Sequence, residues 1–251
     1  MVKAARRKVS FGLWVLPAVL VLWMAAAPAS AANDSPVQGQ TPMLVVKGSY
    51  NFVPGAWADY WVKNLKKGEN YDMRICTLER AKYEGQNAVW MEIKVDMKGQ
   101  PGVITKVLCL ETPDGPGQAK EVIVQPQGYD PFTVPASFLA EQGGEAGEVQ
   151  TFDPKASAKE VTVRFKKRGT KMKAIKVNGV DDQGRVVEAL VSQEIPPLGL
   201  IKATTSEIEM TIQDWGLGGK SQIRGEPMNF YVWIAAQVGK ALTSPAAEQG
   251  N

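Results

Sequence analysis

Residues 89–97 alternate without a break. Val89, Met91, Ile93, Val95 and Met97 are apolar, and Trp90, Glu92, Lys94 and Asp96 stand between them. Successive side chains of a strand point to opposite faces, so this spacing predicts a strand with Glu92 and Lys94 on one face and the aliphatic set covered on the other. A helix would scatter the same residues around its axis.

Similar short runs fill the chain at intervals of about a dozen residues. Residues 57–64 lead into the turn Lys67-Gly68-Glu69-Asn70, and residues 71–78 follow. Residues 103–110 come after Lys98-Gly99-Gln100-Pro101-Gly102, and 121–124 is shorter. Residues 143–158 are Gly-rich and acidic and read as a loop. Strands resume at 161–168, 171–177, 185–192, 198–204 and 208–214. Such spacing predicts a mainly β, antiparallel domain. Two short helices are expected. Residues 136–142 follow Pro135 and stop at Gly143-Gly144, and residues 229–242 place Phe230, Trp233, Ile234, Val238 and Ala241 on one stripe.

The N-terminus follows a different grammar. Lys3, Arg6, Arg7 and Lys8 precede an apolar run from Phe11 to Ala27, and Ala29-Ser30-Ala31 supplies a small-x-small cleavage site. Residues 1–31 are therefore expected to be a signal peptide, cleaved near Ala31 so that the mature chain begins at Ala32. The run is short for a membrane span and carries Pro17, so no stable transmembrane anchor is expected after cleavage. The localisation this implies is periplasmic or secreted. Residues 32–42 then form a flexible lead-in, 43–242 a single domain and 243–251 a disordered tail.

Cleavage also changes the charge balance. The whole chain has 29 Lys and Arg against 26 Asp and Glu, and the leader takes four of the basic residues and none of the acidic ones. A balance of 25 against 26 gives no general attraction to nucleic acid.

The chain contains no histidine and two cysteines, Cys76 and Cys109. Without histidine there is no Ser-His-Asp or Cys-His arrangement and no His-based metal site, so neither catalytic residues nor metal ligands nor cofactors are expected. A carboxylate pair such as Asp59 with Glu92 is the one acid-base arrangement left, and any sheet with acidic residues offers such pairs. An oxidising compartment favours a disulfide between the cysteines. A simple meander opposes it, since strands one removed lie about 9.5 Å apart and a bond needs Cα atoms within about 7 Å.

Three further segments invite interpretation. Asp214 to Ser221 ends in Gly218-Gly219-Lys220-Ser221, but Asp214 occupies the first glycine position of a phosphate loop, and Gly225 and Pro227 follow too soon for the required helix. A Gly-rich hairpin turn is expected instead. Arg164, Lys166, Lys167, Arg168, Lys171, Lys173 and Lys176 make a basic hairpin around Gly169, which reads as a lysine-protected sheet edge or as a docking surface for anionic headgroups or an acidic partner. Trp57, Asp59 and Trp61 share one strand face, an arrangement found both in cores and in sugar sites.

Several stretches together resemble a known family. They are Phe52-Val53-Pro54-Gly55-Ala56-Trp57-Ala58-Asp59-Tyr60, then Thr133-Val134-Pro135-Ala136, then Val191-Ser192-Gln193-Glu194-Ile195-Pro196-Pro197-Leu198-Gly199-Leu200-Ile201-Lys202, and Gly218-Gly219-Lys220-Ser221. They are similar to uncharacterised exported bacterial proteins of the LolA-like half-barrel superfamily, that of the periplasmic outer-membrane lipoprotein carrier. The resemblance implies a curved, unclosed antiparallel sheet with one or two short covering helices. It also implies an apolar small molecule or acyl chain as ligand, and no catalytic residues.

The expected function is a non-enzymatic periplasmic binding protein, with Val89, Met91 and Ile93 from the first half and Ile208, Met210 and Ile212 from the second lining the concavity. The other expectation is a structural or interaction module of the cell envelope, with an envelope protein as partner and a core filled by its own side chains.

Overall fold

A computed structural model describes residues 43–46, 49–113, 115–135, 149–152, 159–165, 168–180 and 186–243. The expected leader 1–31, the lead-in 32–42, the helix at 136–142 and the tail beyond 243 lie outside the described residues.

Two meanders are joined back to back. The first runs through β2 (Trp57–Asn64), β3 (Asn70–Tyr83), β4 (Gln86–Met97), β5 (Val103–Thr112), β6 (Gly115–Pro126) and β7 (Phe132–Thr133). The second runs through β9 (Lys159–Phe165), β10 (Thr170–Val180), β11 (Val186–Val191), β12 (Leu200–Thr204) and β13 (Ile208–Gly216). The last strand of the second pairs antiparallel with the first strand of the first, Met210 opposite Val62. With β14 (Met228–Asn229) added parallel beside β7, one twelve-stranded sheet results, ordered β14-β7-β6-β5-β4-β3-β2-β13-β12-β11-β10-β9. The fold is mainly β, one curved and unclosed sheet with one short helix among the described residues.

The alternation that defined β4 does sort its two faces. Val89, Met91, Ile93 and Val95 enter one contiguous core with Ala58, Tyr60, Val62, Met73 and Ile75 of the neighbouring strands, and this is the inner face. Glu92 and Lys94 fall on the outer face. The strands run further than their apolar residues do. β3 and β4 continue past the core to a two-residue turn, Glu84-Gly85, with both residues at positive φ. That geometry matches the twist of a hairpin and lets its polar ends project beyond the core.

Two segments depart from the sequence reading. β1 (Met43–Val46) pairs parallel with β8 (Val149–Phe152), inside the stretch read as a loop. A four-residue strand whose partner lies a hundred residues away carries no local signal. The stretch after β13 is not a hairpin turn. Residues 217–227 form an extended strap that crosses the outer face from β13 to β7. Gly219 N donates to Gly55 O at 2.8 Å, Arg224 N to the Gln125 side chain at 2.8 Å and Met228 N to Pro131 O at 3.0 Å. Glycine is required where the strap touches the sheet, since a Cβ on Gly219 would sit 2.6 Å from Cys76 Sγ.

The strap delivers the chain to helix α1 (Phe230–Thr243), capped by Asn229 Oδ1, which accepts from Tyr231 N at 2.9 Å. Phe230 and Trp233 are buried against Phe132, at ring distances of 5.5 and 4.6 Å. Val238, expected on the buried stripe, is exposed. The docked stripe is instead Phe230, Trp233 and Ile234, because the helix leaves the edge of the sheet after its first turns.

Candidate functional site

The six residues expected to line the concavity are all buried, but they sit on two separated strands. Val89, Met91 and Ile93 lie on β4, and Ile208, Met210 and Ile212 on β13, with β2 and β3 between. All except Ile208 belong to the one contiguous core. Met210 faces Val62 on one side and Ala203 on the other. The Tyr50 hydroxyl donates to Met91 Sδ at 3.1 Å.

What covers this face is largely the segment that carried the family resemblance. Between β11 and β12 the chain folds into a loop stapled by Ser192 N to Gly199 O and Gly199 N to Ile195 O, both 2.7 Å. The loop buries Ile195 and Leu198 completely in the core. The chain before β2 clamps it: Ser49 Oγ donates to Leu198 O at 2.7 Å, and Asn51 N to Pro197 O at 2.8 Å. Gly199 has φ +65°, and a Cβ there would meet Ser49 O at 2.5 Å. Tyr60, in the same core, donates to Leu200 O at 3.2 Å, and burial pushes its phenol far up.

An open cleft of about 350 Å³ lies at the rim of the second meander. It forms because the sheet curls until the β9–β10 turn reaches β13, although three strands separate β9 from β13 in the sheet. Phe165 meets Trp215 edge-on at 4.8 Å. Arg168, in the turn, ion-pairs with Asp214, its Nε lying 2.8 Å from Oδ1, and stacks 4.1 Å above the Trp215 ring. A bulge in β13 between Ile212 and Asp214 sets these two residues at the rim. The apolar wall is Val163, Phe165, Leu190, Ile201, Ile212 and Trp215, and Arg164, Arg168 and Lys202 add positive charge. Of the six expected residues, Ile212 alone is among those lining this cleft.

Sequence reading found the basic hairpin but not its inward arginine. Lys173 and Lys176 keep to solvent, paired with Glu160 at 3.1 Å and Glu188 at 3.2 Å, as a protected edge would. Arg168 turns back instead, because Gly169 at φ +66° reverses the chain beside it. The aromatic-acidic face of β2 is likewise engaged internally. Asp59 accepts two bonds from Arg74 at 2.6 and 2.7 Å, and Arg74 lies 4.5 Å over Trp57.

Glu92 is buried, at 3 % exposure, though on the outer face rather than in the concavity. The strap covers it: Ser221 Oγ donates at 2.5 Å and Gln222 N at 2.9 Å. Both carboxylates considered for acid-base work, Asp59 and Glu92, therefore hold structural partners.

The cysteines are free and buried. The strands form the meander that opposes a bond, with β4 between them. They also face opposite ways, Cys76 opposite Glu92 on the outer face and Cys109 opposite Val89 on the inner. Burial pushes the Cys76 thiol up to about 11 and the Cys109 thiol up to about 12. Among the described residues no three His, Cys, Asp or Glu side chains come together as a metal site.

No family model matches the chain, and no curated protein does. Among solved structures, it is similar to the crystal structure of a beta-barrel-like protein of a domain of unknown function, DUF1849, from Brucella abortus. The identity is 13%, and the match covers 68% of this chain and 100% of the other at a TM-score of 0.31. A likeness of that size carries no argument about ligand or activity.

Proposed function

We propose that the chain is an exported, non-catalytic binding protein of the periplasm or cell exterior, and that it holds an apolar or lipid-like group in the rim cleft between the β9–β10 turn and β13. The observation that carries this reading is the cleft itself. Its volume lies within the range of about 300–1,000 Å³ usual for small-ligand sites, and its wall is mostly apolar with a few polar groups. The leader-like residues 1–31, the lack of histidine and the resemblance to the lipoprotein carriers support it. The site differs from the one expected, since the middle of the concavity holds Ile195, Leu198 and Tyr50 of the chain itself.

The test is titration of the mature protein with Nile red, a neutral solvatochromic dye. Saturable binding is expected, and Leu190→Trp, at a half-buried position on the cleft wall, should abolish it while the fold remains. The absence of any binding would overturn the reading. It would favour the second one, an interaction module of the cell envelope whose core is self-filled, which the burial of Ile195 and Leu198 supports.

A further inference from the structure

The two ends of the twelve-stranded sheet are finished differently. At one end β14 is two residues long and passes straight into α1, so little edge is left open. At the other end stands β9, seven residues with β10 as their strand partner and no other among the described residues. Its register with β10 runs from Phe165 to Lys159 without a shift, so no bulge turns the edge away. It contains no proline, and its inward side chains, Val161, Val163 and Phe165, carry no charge. Lys171 and Lys173 of the hairpin lie on β10, one strand in from the edge. Outside the ladder with β10, the backbone of β9 makes one bond among the described residues, the turn bond from Arg168 N to Phe165 O. An edge left open in this way is a template for another strand.

The two faces beside that edge differ in chemistry. Val163 and Phe165 line the cleft together with Ile201, Ile212 and Trp215, and by register all of them lie on the inner face. Arg164 points to the outer face. It makes no ion pair or hydrogen bond among the described residues, and Lys171, directly opposite on β10, has no acidic partner among them either. Like charges facing each other across two strands are destabilising, and an acidic side chain beside them offsets that cost.

We infer that an extended peptide segment adds to the sheet beside β9, with an acidic residue opposite Arg164 and the apolar residues on either side of it turned into the cleft. The inference rests on the binding role proposed above and names the partner that carries the apolar group. An added strand lies about 4.8 Å from β9, and its side chains alternate as those of β9 do. An apolar–acidic–apolar run therefore meets Val163, Arg164 and Phe165 in turn, each on its own face. The next outward position of the peptide faces Thr162, and the one beyond it faces Glu160, which already holds Lys173 at 3.1 Å, so one acidic residue is favoured and a second is not. Main-chain bonds to β9 supply affinity in this mode, and the alternate side chains supply specificity.

The experiment titrates mature protein into a fluorescein-labelled, amidated peptide with valine-glutamate-valine at its centre and serine and threonine on both sides, read by anisotropy beside the Nile red titration. The peptide is expected to bind and to displace the dye. Lysine in place of the central glutamate should weaken binding by about three- to tenfold, the modest factor of a charge-assisted contact open to solvent. Arg164→Glu should invert that preference, and since Arg164 is exposed the change does not threaten the fold. N-methylating one alternate set of peptide amides should abolish binding, and methylating the other set should leave it. Amides of β9 that exchange rapidly in the free protein should become protected when the peptide is added. Nile red binding without peptide binding, equal effects of the two N-methylated sets, or an unchanged charge preference in Arg164→Glu overturns the inference while the binding role stands. Dimerisation of the free protein with the β9 amides already protected assigns the edge to a second copy and overturns the peptide assignment. Failure of both probes to bind overturns both readings.

Discussion

Glu92 and Ser221 stand 129 positions apart in the chain and 2.5 Å apart in space. That contact latches the strap to the outer face of the sheet, and Gln222 N completes it at 2.9 Å. Ser221→Ala removes one donor from a buried carboxylate and should cost about 1–3 kcal/mol, read as a lower urea midpoint with an unchanged slope. Amide exchange at Gln222 should accelerate in the same variant. Wild-type stability and exchange in Ser221→Ala would show that the strap is held elsewhere.

Gly199→Ala meets two obstacles at once, a positive φ and a Cβ 2.5 Å from Ser49 O. Strain of this kind costs about 1–3 kcal/mol, and the clash with backbone adds to it. Thermal unfolding should show a clear fall in Tm. Gly169→Ala provides the control: it also has positive φ, but a Cβ there has nothing within 4 Å, so its cost should be smaller.

The two thiols predict a pH dependence. Both have folded values raised by burial, from 9.0 to about 11 for Cys76 and about 12 for Cys109. Above about pH 9 the unfolded chain loses these protons while the folded one keeps them, so stability falls as pH rises from about 9 toward 12. Replacing both cysteines with alanine should flatten that fall. At pH 8 native protein should resist iodoacetamide and take up two equivalents once unfolded, and the unfolded mass should show no disulfide. Rapid labelling of the native protein would mean the thiols are not buried as described.

Substitutions inside the core and on the cleft wall should behave differently. Ile93→Ala, at 1 % exposure, should cost about 2–5 kcal/mol. Met210 is fully buried, so Met210→Trp overpacks the core and should destabilise by about 1–3 kcal/mol or more. Leu190→Trp, at a half-buried position, should leave the unfolding midpoint close to wild type. If Met210→Trp proved neutral, β13 would border an open cavity rather than a filled core.

Arg168 tests the closure of the second meander. Arg168→Ala removes the Asp214 pair and the contact over Trp215, both partly exposed, and should cost no more than about 1–2 kcal/mol. Trp215 should then become more accessible to acrylamide quenching. Unaltered quenching would mean that Phe165 alone holds the turn against β13.

Strand β2 was legible residue for residue, and β4, β5, β10 and β13 nearly so, because period-two alternation is a property of neighbouring positions. The ends of β3 and β4 were not, since Glu79, Arg80 and Lys82 extend the hairpin beyond any apolar pattern. Helix α1 was legible from its apolar stripe, of which Phe230, Trp233 and Ile234 dock. Val238 misled, since its apolar character does not say where the sheet beneath the helix comes to an end.

Burial of the six candidate residues was also implied by alternation, but not what buries them. A sequence determines which side chains of a strand share a face, because that depends on backbone geometry over two or three residues. It does not determine what comes to lie over that face. Ile195 and Leu198 against the core, the pairing of β1 with β8 and of β2 with β13, and the strap over Glu92 all join residues far apart in the chain. Arg168 on Trp215 depends in turn on how far the assembled sheet curls. Such contacts are selected by the summed packing of the whole sheet, and only the tertiary structure decides them.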